Sequence, residues 1–492
     1  MVTAWSQFSQ PKSAPAPLDV MGLMARAARN AAEQLETPGI LKALEGIFVV
    51  RSLSTQYPSP ADQLAATLWA TPKFATVSKV GGNSPQTLIN QAAGMIARGE
   101  LESALVVGAE TYVPRGENSA KPDSALMKGI PADYPGDDAI GATALEKRHG
   151  MEHPMQGFPL FETALWNASG MELGEHLHRV GTLWSGFNAV AQTHPHAWTR
   201  TPMTADEIVT PGPTNRPIAF PYTKFMNSFV TVDQTAAVIL MSETAARKLG
   251  PQRKEPVYFM GGGYAEDRQR FMIQKSDFTA SPPLEAAVAK ALGRAAMTLD
   301  QLECFDLYSC FPCAVSIARK MLNLHDDDPR PLTLTGGLGF FGGPGNNYNL
   351  HAVVTLVDQI ANGKRNNGMV TALGWFMHKH AAGIYSNQRP TTDLGQMDME
   401  DRENFLAGPP PLDIDPQPKG QGKIDTYTLI YATDQTPAYA VIYGRTEAGR
   451  RFIANTPKDP HTFEALTRKN QIGSAVNLDW DPNREKTIAT LL

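Results

Sequence analysis

The chain has 492 residues, 42% apolar and 19% charged, with a net charge of −5; this length predicts two to four domains and a large core. The slight negative balance gives no electrostatic case for nucleic acid or an anionic membrane surface. No basic and then apolar leader opens the sequence, and no apolar stretch reaches the roughly 18 residues of a membrane helix, so a cytoplasmic protein without a membrane span is expected.

Leu18 to Leu35 carries apolar residues at helical spacing, and Ile47 to Val50 reads as a buried strand. Next comes VGGNSPQTLINQAAGMIARGELESALVVGAE. Here Ser84 is the expected N-cap and Pro85 the first helical residue, where a missing N–H costs nothing. Leu88, Ile89, Ala92, Ala93 and Ile96 line one face, Gly99 ends the helix, and Ala104 to Val107 form a strand. Residues 112 to 225, rich in Pro, Gly, His and Trp and weakly periodic, predict a loop-dominated insertion over one face of the sheet. TVDQTAAVILMSETAARKLGP then reads as a strand and a helix stopped by Gly250 and Pro251, and PVYFMGGG opens a second half.

That half repeats the earlier layout as GGLGFFGGPGNNYNLHAVVTLVDQIANGKRNNGMVTALG. Gly342, Gly343 and Gly345 precede a helix carrying Leu350, Val353, Val354, Val357 and Ile360; Gly363 follows, then a strand from Gly368 to Leu373. Two such units predict duplicated halves in a layered α/β protein, 1–252 and 253–388. A Pro, Asp and Gly-rich linker is expected over 389–422, and a small β-rich domain with the strand spacing of a barrel over 423–492.

Several residues carry chemistry. The N–H groups of Gly81, Gly82, Asn83 and Ser84 at a helix N-terminus suit a carbonyl or anion. His378 and His380 fall on one face if their segment is extended, within reach of a base or metal role; two histidines without a carboxylate or cysteine nearby are a weak metal signal, and contact with a bound ligand or a backbone carbonyl is the favoured reading. Cys310-Phe311-Pro312-Cys313 has redox-motif spacing but reads as buried thiols within a loop. GGGYAED from 261 lacks the last glycine of a dinucleotide fingerprint, and neither glycine loop has the Lys and Ser/Thr of a P-loop. Arg445, Arg450 and Arg451 read as a solvated face of the tail domain.

The loops and their order resemble the thiolase superfamily, in which a nucleophilic cysteine opens a helix and three further loops supply an Asn or His, a Gly-His-Pro histidine and a second cysteine. VGGNSPQ places Gly81 at the first cysteine, FDLYSCF places Tyr308 at the Asn/His position, GGLGFFGGP places Gly343 at the histidine and MVTALGWF places Ala372 at the second cysteine. GGLGFFGGPGNN, DLYSCFP, NRPIAFPYTKFMN and the tail look most like the thiolase-like type 1 subgroup, which is similar to sterol-carrier-protein thiolases and adds a C-terminal domain shaped like an oligonucleotide/oligosaccharide-binding (OB) barrel. The resemblance implies a duplicated α-β-α-β-α fold plus an OB-like domain, with the first thiolase strand absent or reduced to Met1 to Phe8.

It also implies coenzyme A or acyl-CoA as a non-covalent ligand, held by an oxyanion loop set of Gly82, Asn83, Ser84, Gly342, Pro344, Asn346, Asn347 and Gly374. The implied activity is that of an acyltransferase of lipid metabolism, acetyl-CoA acetyltransferase-like. With glycine or alanine at the cysteine and histidine positions, ordinary thiolase turnover is not expected. Catalytic candidates are Tyr308, His378 and His380. One alternative is an aldolase that cleaves a β-hydroxyacyl-CoA with Tyr308 as acid or base. Another is a non-catalytic scaffold whose tail domain binds a partner protein, an acyl chain or an oligomeric ligand. A monomer or homodimer is expected.

Overall fold

The computed structural model describes every residue except 36, 38, 116–140, 250–254 and 402. The first half builds a sheet from β1 (Val2–Ser9), β2 (Gly46–Val49), β3 (Phe74–Val77) and β4 (Ser103–Thr111). Two short strands, β5 (Pro217–Ala219) and β6 (Tyr222–Thr223), leave this sheet, and β7 (Asp233–Met241) returns to it, giving the order β1-β7-β4-β2-β3. The second half forms β8 (Tyr258–Asp267), β9 (Phe305–Asp306), β10 (Asn367–Gly374), β11 (Lys379–Ser386) and β12 (Leu406–Ala407), in the order β12-β8-β11-β10-β9. The duplication is visible in the pairing. β4 follows the helix Ser84–Ala97 and runs antiparallel to β7; β10 follows the helix Tyr348–Ala361 and runs antiparallel to β11.

Those two helices touch each other between the sheets, which explains why both are apolar around most of their circumference. Helix Val20–Ala32 covers the outer face of the first sheet and helix Pro282–Ala295 that of the second. The layers are therefore α-β-α-β-α. Asp19 caps the first of these helices by accepting from the Gly22 N–H at 2.8 Å.

Three expectations change. The first strand is neither missing nor weak: Val2–Ser9 pairs antiparallel along β7 from Val2 opposite Leu240 to Ser9 opposite Gln234. The region 112–225 is not loop-dominated, because it holds helices Pro154–Ser169 and Leu173–Thr193. Prolines, histidines and tryptophans obscured their periodicity; residues 116–140 lie outside the described chain. The stretch 389–422 is laid along the second half. β12 pairs parallel with β8, and Asp401 accepts from Arg294 at 2.7 and 2.9 Å.

The tail is a closed five-stranded barrel of β13 (Gly420–Tyr431), β14 (Pro437–Thr446), β15 (Arg451–Asn455), β16 (Ala475–Asp481) and β17 (Lys486–Leu491). β13 pairs with both β14 and β16, β15 runs parallel to β17, and the helix Pro460–Arg468 links β15 to β16. This is the connectivity of an OB-like barrel. β5 adds to its edge at β13, so the barrel shares a sheet with the first half. Arg445 and Arg451 both meet Asp425 at 2.9 Å, and Arg450 meets Asp415. Arg451 is fully buried and donates to the Lys275 carbonyl, so the arginines anchor the barrel internally and to the core.

Candidate functional site

The two glycine loops meet at the ends of β4 and β10. The Gly81 N–H donates to Asn346 Oδ1 at 2.9 Å, and Asn346 Nδ2 donates to the Arg51 carbonyl at 2.9 Å. Asn347 Nδ2 donates to the Gly108 carbonyl at 2.8 Å. One loop is thus stitched to the other by asparagine side chains, which explains the Asn-Asn pair behind the second glycines.

Gly81 sits at φ +148, and a Cβ on it would overlap Asn83 Oδ1. The place of a side chain at this position is already filled from within the loop. Gly82 is forced to glycine differently: a Cβ there would run into the Tyr308 hydroxyl and come within 2.5 Å of the Leu373 carbonyl. Ser84 is the first residue of its helix and not the cap; its Oγ donates to the Lys79 carbonyl at 2.7 Å.

Tyr308 follows β9 and is held by its N–H donating to Thr371 Oγ1 at 2.9 Å. Its ring meets Tyr348 edge-on, centroids 5.5 Å apart. Burial, with Cys310 adding to it, pushes the Tyr308 phenol far above the ordinary tyrosine range, so the hydroxyl stays protonated as a donor. Tyr348 stands behind it and is taken up elsewhere. Its hydroxyl donates to Asp306 Oδ1 at 3.1 Å and lies 2.6 Å from Thr335 Oγ1. Burial raises Asp306 to about 6 against the hydrogen bonds from Leu334, Thr335 and Thr333.

These groups open on a cavity of about 200 Å³ whose wall is mostly apolar. Gly81, Gly82, Tyr308, Gly343, Gly345 and Asn346 line it from the predicted loops. Asn83, Ser84, Gly342, Pro344, Asn347, Ala372 and Gly374 support it from behind: Ala372 is buried in β10 opposite Ala381, and Gly374 packs under Asn83. Gly343 is open by comparison, since a Cβ there would meet nothing nearer than 3.5 Å.

His378 and His380 do not reach the cavity. Both are buried on the other side of β10 and β11. His380 Nε2 lies 2.9 Å from Ser281 Oγ, and burial lowers His380 to about 3 and His378 well below the usual histidine range. His378 lies in the turn just before β11 and only His380 within the strand, so the expected extended segment does not run through both, and sequence spacing could not tell which face meets the cavity. Among the described residues, no group of three or more His, Cys, Asp and Glu is arranged to hold a metal ion. Cys310 forms part of the cavity wall and Cys313 packs behind it; burial raises both thiols, which removes the thiolate a redox pair needs.

The opposite wall escaped sequence reading. It consists of Glu152, His153, Pro154, Met155 and Phe158 at the start of helix Pro154–Ser169. A usable signal was the proline at the first helical position, just after His153. Trp375, with φ +53, closes the cavity beside Leu373.

No curated protein matches the chain. Residues 403–483 match the family model described as "Thiolase-like protein type 1 additional C-terminal domain". A monomeric SCP2-thiolase-like protein type 1 from Mycobacterium smegmatis superposes with a TM-score of 0.82 at 28% identity, covering 100% of this chain and 98% of that one. The fold alone is shared with an Ltp2-ChsH2(DUF35) aldolase, TM-score 0.62 at 15% identity over 78% of this chain and 97% of that one. It is likewise shared with an acetyl-CoA acetyltransferase from Syntrophomonas wolfei, TM-score 0.57 at 14% identity over 79% and 98%. The matched C-terminal domain and the likeness over the whole chain together support a thiolase-like protein type 1 assignment.

Proposed function

We propose that the chain binds an acyl thioester of coenzyme A in this cavity and does not perform ordinary thiolase chemistry on it. What carries the reading is the Tyr308 hydroxyl, held over Gly82 and facing an apolar cavity at the start of the helix Ser84–Ala97. A short acyl group lies among Phe158, Phe311, Leu338 and Leu373. Its carbonyl oxygen accepts from the Tyr308 O–H and from backbone N–H groups at the helix start. At about 200 Å³ the cavity is smaller than the roughly 300–1,000 Å³ of sites that enclose a drug-sized ligand, so the nucleotide end of coenzyme A stays outside.

Thiolysis needs a thiolate to take the acyl group and a base for the α-carbon. Gly81, Gly343 and Ala372 supply neither, and the wall thiol of Cys310 is protonated. The protein acts as a monomer in the cytoplasm, the former by analogy with the relative described as monomeric. Calorimetry with coenzyme A and acetyl-CoA beside a thiolysis assay tests this. Micromolar to millimolar binding without turnover is expected; robust thiolysis or absent binding overturns it.

A second reading, aldol cleavage of a β-hydroxyacyl-CoA, draws on the same hydroxyl. The raised phenol suits it as a hydrogen-bond donor to a carbonyl oxygen and not as the base that must take a β-hydroxyl proton. No carboxylate or imidazole stands within hydrogen-bonding distance of the Tyr308 hydroxyl among the described residues, so the binding reading is preferred.

A further inference from the structure

The second and third strands of an OB-like barrel ordinarily present the face that takes up oligonucleotides. Here that face is covered by the chain's own core. Residues alternate along β14 and β15: Ala440, Ile442, Phe452 and Ala454 point into the barrel, while Val441, Tyr443 and Ile453 join the apolar cluster that contains Phe158 and Phe278. Beyond Arg445 and Arg451, which bond the Ser276 and Lys275 carbonyls, three polar groups on this side of the barrel address one short stretch. Tyr443 donates to Glu146 Oε1 at 3.1 Å, Asn455 Nδ2 donates to the His149 carbonyl at 3.0 Å, and the Thr487 N–H donates to His149 Nε2 at 3.1 Å.

The furthest-reaching contact is Tyr439. Its hydroxyl donates to the Gly150 carbonyl at 2.9 Å and accepts from Gln156 Nε2 at 3.1 Å. Gln156 Oε1 in turn accepts from the N–H groups of Glu152 and His153, both at 2.9 Å. Gly150 holds φ +86, and the Tyr439 ring occupies the space a side chain there would need. One barrel tyrosine therefore fixes both ends of the segment 150–156, and that segment supplies Glu152, His153, Pro154 and Met155 to the cavity wall.

We infer that the C-terminal barrel acts in cis as a clamp on the cavity wall, with Tyr439 as the positioning residue that sets how readily a ligand leaves. The inference rests on the acyl-thioester reading for the identity of that ligand and on hydrogen bonds alone for the clamp. Cavity walls built from a helix start open easily unless their first turn is tied, because the first N–H groups have no partner within the helix. Gln156 ties two N–H groups just ahead of this helix, and Tyr439 ties Gln156.

The test uses the full-length chain as wild type, Tyr439→Phe and Tyr427→Phe. Tyr427 is a barrel tyrosine whose hydroxyl engages Lys469 and Gln471 within the barrel, so it reports loss of a barrel hydrogen bond away from the wall. Two quantities are read: amide hydrogen exchange of residues 150–157, and the release rate of acetyl-CoA. Loss of the Tyr439 hydroxyl is expected to speed both roughly five-fold, with Tyr427→Phe leaving both at wild type. Unchanged exchange in Tyr439→Phe, or a change matched by Tyr427→Phe, overturns the clamp. Faster exchange with unaltered acetyl-CoA release overturns the control of ligand escape. A wild type that binds no acetyl-CoA removes the acyl-thioester reading, and the exchange contrast then decides the clamp by itself.

Discussion

Gly81 and Gly343 occupy corresponding places in the two halves, each just ahead of a central helix, and they are glycine for different reasons. At Gly81 the backbone has φ +148, its N–H is spent on Asn346, and Asn83 Oδ1 fills the volume of a side chain. At Gly343 φ lies outside the left-handed region, the N–H donates to the Phe229 carbonyl at 2.8 Å, and a Cβ would make ordinary contacts facing the cavity. The first loop is built closed; the second leaves an open seat. If the reactive side chain, a cysteine at one and a histidine at the other, is absent by residue type alone, restoring it should be equally simple in either loop. The geometry says it is not.

The largest effect is expected from Gly81→Cys. Strain at positive φ costs about 1–2 kcal/mol and overpacking against Asn83 about 1–3 kcal/mol, so the variant should melt several degrees lower and show no thiolysis. A Gly81→Cys protein with wild-type melting and measurable thiolysis would break the contrast. Next comes acid. His194 and His351 flank Phe341, directly ahead of Gly342, with ring centroids 5.0 and 5.1 Å away. Burial lowers His194 to about 4 and His351 well below its usual range, with Arg200 opposing the His194 charge and Asp358 favouring it. A folded-state pKa below the unfolded value gives stability that is complete above about 6.5 and is lost as pH falls toward 4. A loss on the order of 2 kcal/mol is expected in that window. Hydrogen exchange should show the second loop opening before the first; the reverse order would put the weak point elsewhere.

Tyr308→Phe sharpens the comparison at the point where the loops meet. The hydroxyl contacts no hydrogen-bond partner among the described residues, so stability should hold while affinity for acetyl-CoA drops by about 1 kcal/mol, roughly five-fold. Unchanged affinity in calorimetry would remove the hydroxyl from the ligand. The smallest effect belongs to Gly343→Ala: with room and an ordinary φ, it should melt within about 1 kcal/mol of wild type and on the stabilising side. A loss like that of Gly81→Cys would erase the difference between the loops.

Much of this site was legible in sequence because glycines at turns and a Pro after a cap have few structural meanings. The paired loops and both central helices followed from such signals, whereas Tyr308 at the cavity followed from the resemblance of FDLYSCF to a thiolase loop. What escaped depended on burial and on faces. His378 and His380 lie beside the fourth loop in sequence yet are packed behind β10 and β11, and no periodicity states which face of a central strand is the wet one. The His153 to Phe158 wall escaped because its helix carries Pro159 and mixed residues, so its apolar face looked irregular. The strand Val2–Ser9, read as weak, is fixed by nonlocal pairing with β7, which only the fold supplies.

The central claim, a site that holds an acyl thioester without reacting with it, meets its most direct test in native mass spectrometry of the protein mixed with acetyl-CoA. The expected spectrum shows a one-to-one complex that dissociates completely on denaturation and leaves the chain at its unmodified mass. A chain that stays acetylated after denaturation, or no complex at all, would contradict it.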